Sequence, residues 1–333
     1  MSMTDIPAMK IGIMSFAHMH AWSYAHALKG MTDVALTAIW DDNAKRGRAM
    51  AEQLGVPFVK DMNKFLAMDT QGVIVTSENV KHRAMVEAAA KAGKWVLCEK
   101  PLATTVADAK AMIAACRKAK VGLGTAFPCR YIPAIKAVRA QTASGALGDI
   151  YAMSCTNHGQ FPGGWFAKTD LSGGGAVMDH TVHVIDLVRW MTGKEFTKVY
   201  CECGNVIHKG IGTDDTGSLH LEMEGGIIVS HIASWNRART FPIWGDVTLE
   251  IVAEKGVVAV DAFNQKIGVY SDDVGKGFWA YWGGDSDQGL VRDFVDAVRE
   301  RREPAITGED GLRAVEVTVA AYASARSGKM VAI

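Results

Sequence analysis

The sequence predicts an α/β protein of two domains, a parallel sheet with helices on both faces over residues 1–126 and an α+β domain over 127–333. Three observations predict it. In the first part short apolar runs alternate with helical patterns, the signature of βαβ units. Beyond residue 126 strand-like runs follow one another across tight turns, and strands joined that closely pair antiparallel. A length of 333 residues also suits about two domains.

Taken in order, Met9–Met14, Val34–Trp40, Gly72–Thr76, Trp95–Cys98 and Val121–Ala126 read as strands. Between them Ala21–Lys29, Ala44–Leu54, Val80–Ala92 and Thr105–Ala119 read as helices with apolar 3.6-residue periodicity. Gly55 and Gly93 stop two of these helices, and Thr104/Thr105 starts another. In the second part Ile132–Ala143 is a helix and Ile150–Asn157 a strand. Gly173-Gly174-Gly175 leads into a helix over Ala176–Met191 that ends at Gly193. Strands are then expected at Lys198–Ile207, Gly217–Met223, Ile227–Ser234, Asp246–Ala253, Gly256–Asp261 and Lys266–Tyr270. Helices at Gln288–Arg301 and Glu309–Ala325 complete the chain.

Composition narrows the function. Lys+Arg and Asp+Glu both number 36, so neither a nucleic-acid footprint nor a polybasic membrane anchor is indicated. No apolar run approaches the ~18 residues of a membrane helix, and the N-terminus lacks a signal-peptide pattern. The six cysteines form no CxxC pair, which fits reduced thiols in a cytoplasmic protein.

Two stretches carry chemistry. An apolar run delivers Glu99-Lys100-Pro101 to the end of a buried strand, and ligands of open α/β sheets sit at the carboxyl ends of strands. An ammonium there can donate hydrogen bonds to a reacting oxygen. The second stretch, Asp179-His180-Thr181-Val182-His183, sets Asp179 and His183 four residues apart on one helix face. Histidine has the pKa for acid–base work near neutrality.

After the first strand, where a dinucleotide fingerprint would place glycines, stands Ser15-Phe16-Ala17-His18-Met19-His20. Ser15, Ala17 and His20 occupy the glycine positions. Small residues still let the backbone approach a pyrophosphate, and the amides opening the next helix do not depend on side-chain identity. Asp41 ends the second strand, where an acid meets the adenosine ribose hydroxyls. Asp41-Asp42 would repel a 2′-phosphate, which favours NAD over NADP. The same acids also read as a cap of the following helix.

These residues resemble the glucose–fructose oxidoreductase / inositol dehydrogenase (Gfo/Idh/MocA) family over essentially the whole chain. The resemblance rests on Lys10-Ile11-Gly12-Ile13, Asn79-Val80-Lys81-His82, Gly93-Lys94 with Glu99-Lys100-Pro101, and Gly173-Gly174-Gly175 with Asp179-His180-Thr181-Val182-His183-Val184-Ile185-Asp186. It implies an N-terminal Rossmann dinucleotide-binding domain and a C-terminal domain with a large, mostly antiparallel sheet. It also implies NAD(P)-dependent oxidation or reduction of sugars, polyols or related carbonyl compounds, in homodimers or homotetramers. By position, Ser77, Glu78, Asn79, His82, Glu99 and Lys100 would lie along the cofactor, with Ser15, Phe16, Ala17, His18, Met19 and Asp41. Two departures stand out: the fingerprint glycines are missing, and Glu78 replaces the proline usual before Asn79.

In that frame His183 is the expected proton shuttle, and Asp179 orients it or holds a substrate hydroxyl. Lys100 stabilises charge on the reacting oxygen. Asp186 reads as a structural acid. His158 and Trp165 are candidate substrate contacts, as are Trp235-Asn236-Arg237 and Trp282 in a glycine-flanked loop, because aromatic rings stack on sugar faces. His18, His20, His180, His183 and Asp179 include zinc-ligand types, but no cysteine or glutamate spacing supports a site, so no metal is expected. The alternatives to a dehydrogenase are a non-catalytic dinucleotide-binding sensor and a metal-dependent hydrolase or lyase.

Overall fold

The computed structural model describes residues 8–281 and 284–333. The chain forms two compact units, 1–128 with 287–312, and 129–286 with 313–333. A single boundary at 126/127 is the expectation from sequence. Instead the chain crosses three times, because the helix Ser286–Glu300 belongs with the first sheet.

The first unit holds β1 (Met9–Met14), α1 (His20–Gly30), β2 (Val34–Trp40), α2 (Ala44–Leu54), α3 (Met62–Leu66), β3 (Gly72–Val75), α4 (His82–Lys91), β4 (Trp95–Cys98), α5 (Val106–Ala119) and β5 (Leu123–Thr125). The strands form one parallel sheet, ordered β2-β1-β3-β4-β5. Order reverses at β1, since the chain passes from β1 to β2 on one side and returns to β3 on the other. Such a switch point opens a crevice at the carboxyl ends of β1 and β3. Strand cores such as Ile11, Ile13, Val73, Ile74 and Val96 are buried, as a sheet covered on both faces requires.

Local chemistry sets the helix ends. Asn43 caps α2 by accepting from the Lys45 and Arg46 amides, and Gly55 closes it at φ 65°. Thr105 caps α5 through the Asp108 amide. The short α3 was not legible in the sequence; its Phe65 fills the space over Gly12, where a side-chain carbon would lie 2.6 Å from the ring. The helix Ser286–Glu300 packs Phe294 over Gly72, and its Arg292 joins Arg299 in binding Asp33.

The second unit holds α6 (Pro133–Ala143), β6 (Ile150–Gln160), α7 (Thr169–Ser172), α8 (Ala176–Thr192), β7 (Phe196–Gly204), β8 (Thr216–Met223), β9 (Ile228–Arg237), β10 (Gly245–Ala253), β11 (Gly256–Asp261), β12 (Lys266–Ser271) and β13 (Lys276–Tyr281). The distal helices are α9 (Ser286–Glu300) and α10 (Gly308–Ser327), and β14 (Val331–Ala332) ends the chain. Seven strands form one sheet, β11-β10-β6-β9-β8-β7-β14, antiparallel except for the β6–β9 pair. β12 and β13 make a separate hairpin, so the segment read from sequence as a loop at Phe278 is a strand. Trp282 lies outside the described residues. α8 packs on β6, β8 and β9, and fourteen of its residues are buried.

Candidate active site

At the end of β1 the chain turns at Ser15, which is fully buried and adopts φ 79°. That conformation is one glycine supplies without strain, so serine fills the first fingerprint position conformationally as well as by size. The turn is tied down: the Thr76 hydroxyl donates to the Ser15 carbonyl at 2.6 Å, and the His18 amide donates to the Thr76 carbonyl at 3.0 Å. The Phe16 amide donates to Asp41 at 2.8 Å. Two further amides have side-chain acceptors at 3.2 Å: Ala17 on Ser15 Oγ, and His20 on His18 Nδ1. The loop thus satisfies several of its own amides from within. Met19, by contrast, is exposed.

Asp41 is buried and accepts from the Phe16 and Asn43 amides and from Arg46 Nε and Nη2. Four donors saturate a carboxylate, so Asp41 holds the turn together. Asp42, with 32% of its side chain exposed, pairs with Lys81 at 2.5 Å and Arg46 at 3.1 Å. Burial works against the charged form of Asp42, but the Lys81 and Arg46 cations outweigh it and lower its pKa. Glu78 completes this patch, 2.9 Å from Lys81.

Ser77 and Asn79 are buried at the end of β3. His82, expected along the cofactor, is instead fully buried. Its Nδ1 faces the carbonyls of Pro101 and Leu102 and its Nε2 faces that of Ser77. Burial lowers its pKa and keeps it neutral. It sits between the segments that follow β3 and β4, and its single N–H donates to the carbonyls of one side only.

Lys100 is buried beyond β4, and its peptide bond to Pro101 is cis. Its amide donates to Glu99 Oε2 at 2.9 Å. Glu99 Oε1 accepts from the Tyr24 hydroxyl at 2.6 Å and lies 3.0 Å from His20 Nδ1 and 3.8 Å from His18 Nδ1. Burial opposes ionisation of Glu99, but the neighbouring His18, His20 and Lys100 overcome it and hold the carboxyl far below its usual range. The ring of His20 meets those of His18 and Tyr24. This grouping was invisible in the sequence because Glu99 and Tyr24 lie 75 residues apart.

In the second unit, the three-glycine turn has a steric cause. A side-chain carbon at Gly175 would lie 1.8 Å from the Asp214 carbonyl oxygen. Asp214 accepts from the Gly175 and Val177 amides and from Tyr322, so it caps α8 from outside. One turn into α8 stands Asp179, buried, accepting from Trp235 Nε1 at 3.1 Å and lying 3.2 Å from His180 Nε2. His180 Nδ1 is 2.9 Å from the Asn157 carbonyl. His183 is buried one helical turn further on. Asp186 binds Arg130 through two bonds, the structural role read for it.

His158 lies within β6 rather than on the loop after it, and its Nδ1 is 3.1 Å from Asp246, which also binds Arg237. Trp165 stacks on Phe166 at 3.9 Å and packs on a cluster with Ala176 and Trp235. Two residues escaped the sequence reading, Trp244 and His231. Trp244 crosses the His180 ring at 4.8 Å and lines a hollow of about 450 Å³ with Gly245, Phe263 and Gln265. Its space depends on Gly159, where a side-chain carbon would meet both rings at 2.8 Å. His231 is buried and pushed down to about 3 by burial, hence neutral. A hollow of about 860 Å³ in the first unit lies by Trp95 and Gly122 at the amino ends of the strands, away from all these groups.

A doubly wound sheet with a tight β1–α1 turn and acids beyond β2 defines the dinucleotide-binding α/β class, here joined to a second domain on a mostly antiparallel sheet. The chain belongs to the GFO/IDH/MocA oxidoreductase family. Residues 10–127 match its NAD-binding Rossmann fold and residues 135–259 its C-terminal domain. A myo-inositol 2-dehydrogenase of Thermotoga maritima is 29% identical over 95% of this chain and 96% of its own. A D-apiose dehydrogenase of Paraburkholderia graminis is 25% identical over 96% of this chain and 87% of its own. The crystal structure of a probable dehydrogenase from Thermotoga maritima superposes with a TM-score of 0.84 at 27% identity, covering 97% of this chain and 98% of that one. The protein is an NAD-binding oxidoreductase, as the resemblance implied. Among the described residues no helix is long and apolar enough to cross a membrane.

Proposed function

We propose that the protein is an NAD-dependent dehydrogenase or reductase acting on the CH–OH group, or the corresponding carbonyl, of a sugar or polyol. The observation that carries this reading is the buried Asp179 and His183 on one face of α8, in a chain whose first unit matches an NAD-binding Rossmann fold. Relatives named as inositol and apiose dehydrogenases support the substrate class.

The β1–α1 turn suits the dinucleotide. Ser15 already holds the conformation of the fingerprint glycine, and the Ala17 and His20 amides give up only long bonds to side-chain acceptors when a phosphate oxygen replaces them. Phe16, His18 and Met19 belong to this turn, and Ser77, Glu78, Asn79 and Glu99 follow β3 and β4 at the same sheet edge. Asp42 meets the ribose hydroxyls. Arg46 and Lys81 are cations beside it, but Asp41, Asp42 and Glu78 outnumber them, so NAD is preferred to NADP.

Bound NAD accepts or supplies the hydride. His183 takes the hydroxyl proton or returns it, Asp179 orients His183 or holds a neighbouring hydroxyl, and Lys100 hydrogen-bonds the reacting oxygen. His158 and Trp165 contact the substrate, and Trp244 offers a further ring face. The chain works as a homodimer or homotetramer, and its free thiols suit the cytoplasm.

NADH absorbance during a screen of sugars and polyols tests this reading. Turnover is expected with at least one of them, and Lys100→Ala should lower it about 100-fold or more while the fold persists. A second reading, a sensor that binds the dinucleotide without turnover, is favoured by the internally satisfied amides of the turn. Nucleotide binding with no turnover on any candidate would select it.

A further inference from the structure

We infer that the hollow at the amino ends of β3, β4 and β5 is a second binding site, one for a small phosphorylated ring compound. It measures about 860 Å³, within the range of small-molecule pockets. Nucleotides bind such a sheet at the opposite edge, the carboxyl ends of the strands, where Glu99 and Lys100 stand. The four-residue strand β4 separates Trp95 from that edge by about 13 Å. The hollow is therefore distinct from the nucleotide crevice, and its lining belongs wholly to the first unit.

The lining offers a ring face, cations and one unused hydroxyl. Trp95 is half-buried at the start of β4. A side-chain carbon at Gly122 would lie 2.3 Å from its indole, so glycine there lets the ring lie against the backbone just before β5. An indole face stacks on a sugar or base ring. Arg117, Lys120 and Arg301 line the same hollow and are exposed. Among the described residues none of these three side chains has an ion-pair or hydrogen-bond partner. Lys120 and Arg301 follow α5 and α9 in the left-handed conformation, at φ 57° and 54°. Glycine is the unstrained residue there, yet both positions carry cations. Glu303 and Glu309 are the acids of the lining, so the cations outnumber them. Guanidinium groups hold phosphate through paired hydrogen bonds, which selects a phosphorylated ring over a neutral one. Thr70 also lines the hollow; it is 4% exposed and its hydroxyl has no partner. A buried unpaired hydroxyl is costly, and a ligand bearing hydroxyls relieves that cost.

Calorimetry on the full chain tests the site, with glucose 6-phosphate, AMP and inorganic phosphate as probes. Excess NAD is present throughout and occupies the nucleotide crevice, so AMP reports on the hollow. One equivalent of glucose 6-phosphate or of AMP is expected to bind, and inorganic phosphate at least about 10-fold more weakly. Arg301→Glu and Trp95→Ala should each weaken binding of the ring compound at least about 10-fold. Thr70→Val should weaken it without lowering the melting temperature, because it removes an unpaired polar group. Lys118→Glu, an exposed cation of α5 outside the lining, should leave it unchanged. If Trp95→Ala does not fold, Arg301→Glu decides alone. The site is overturned by no saturable binding of either ring compound, by equal affinity for inorganic phosphate, or by undiminished binding in Arg301→Glu. Weakening by Lys100→Ala instead would place the probe at the catalytic groups and overturn it too. Absence of dehydrogenase turnover bears on the functional reading and leaves this one standing.

Discussion

At the residue scale, carboxylates do most of the positioning, and their value depends on charge. Asp246 accepts from His158, Thr156 and Arg237 between β6 and β10. Burial pushes its pKa up, but the bonds from His158 and Arg237 prevail and hold it well below the usual value. A carboxyl depressed in the folded state stabilises above its unfolded pKa of about 4, and that contribution fades as pH falls through this value. Asp246→Asn should therefore cost about 2 kcal/mol at pH 7 in urea unfolding, with the difference shrinking by pH 3. A pH-independent difference would show that the loss is one of packing. The same logic applies to Asp41, whose sequence position allowed both a ribose contact and a helix cap, and whose four donors tie it to the turn. Its place at the end of β2 was legible, and so was its place beside the start of α2, but the Phe16 amide that also occupies it comes from 25 residues away.

At the scale of elements, the α8 start shows how a glycine run can mark a close approach rather than flexibility. Gly173 has φ 78° and closes α7, whereas Gly175 has an ordinary φ and is required by the Asp214 carbonyl. Gly175→Ala should cost at least about 2 kcal/mol and displace the Asp214 cap, because backbone rather than a flexible side chain stands in the way. Denaturant unfolding measures the loss. A stable variant with an unaltered melting curve would show that the turn gives way freely. His82 in the first unit is expected from its sequence position to lie along the cofactor, and it is buried between the Pro101 and Leu102 carbonyls on one side and that of Ser77 on the other.

At the scale of the whole molecule, the second unit's sheet carries α8 on one face and leaves side chains of the other exposed. Ile228 and Val252 both align with Ala152, and Val257 aligns with Val252, so these residues share that open face with Ile232. A row of exposed aliphatic residues in register is suited to a second copy of the same face, since a twofold contact needs only one self-complementary patch. Light scattering should find a dimer or tetramer, and Ile228→Lys with Val252→Lys should shift it toward monomer. A wild-type chain that remains monomeric at high concentration would remove the proposal.

The sequence by itself determined the alternation of strands and helices, the two-domain organisation and the family, because periodicity, turn residues and short motifs are local properties. Lys100 at a strand end and Asp179 four residues before His183 were equally local and equally legible. Tertiary structure decided the rest. It brought Glu99 to His18 and His20, set Trp235 on Asp179, and returned Ser286–Glu300 to the first sheet. Such contacts join residues tens to hundreds of positions apart, and no spacing rule reaches that far, because only chain folding makes distant side chains neighbours.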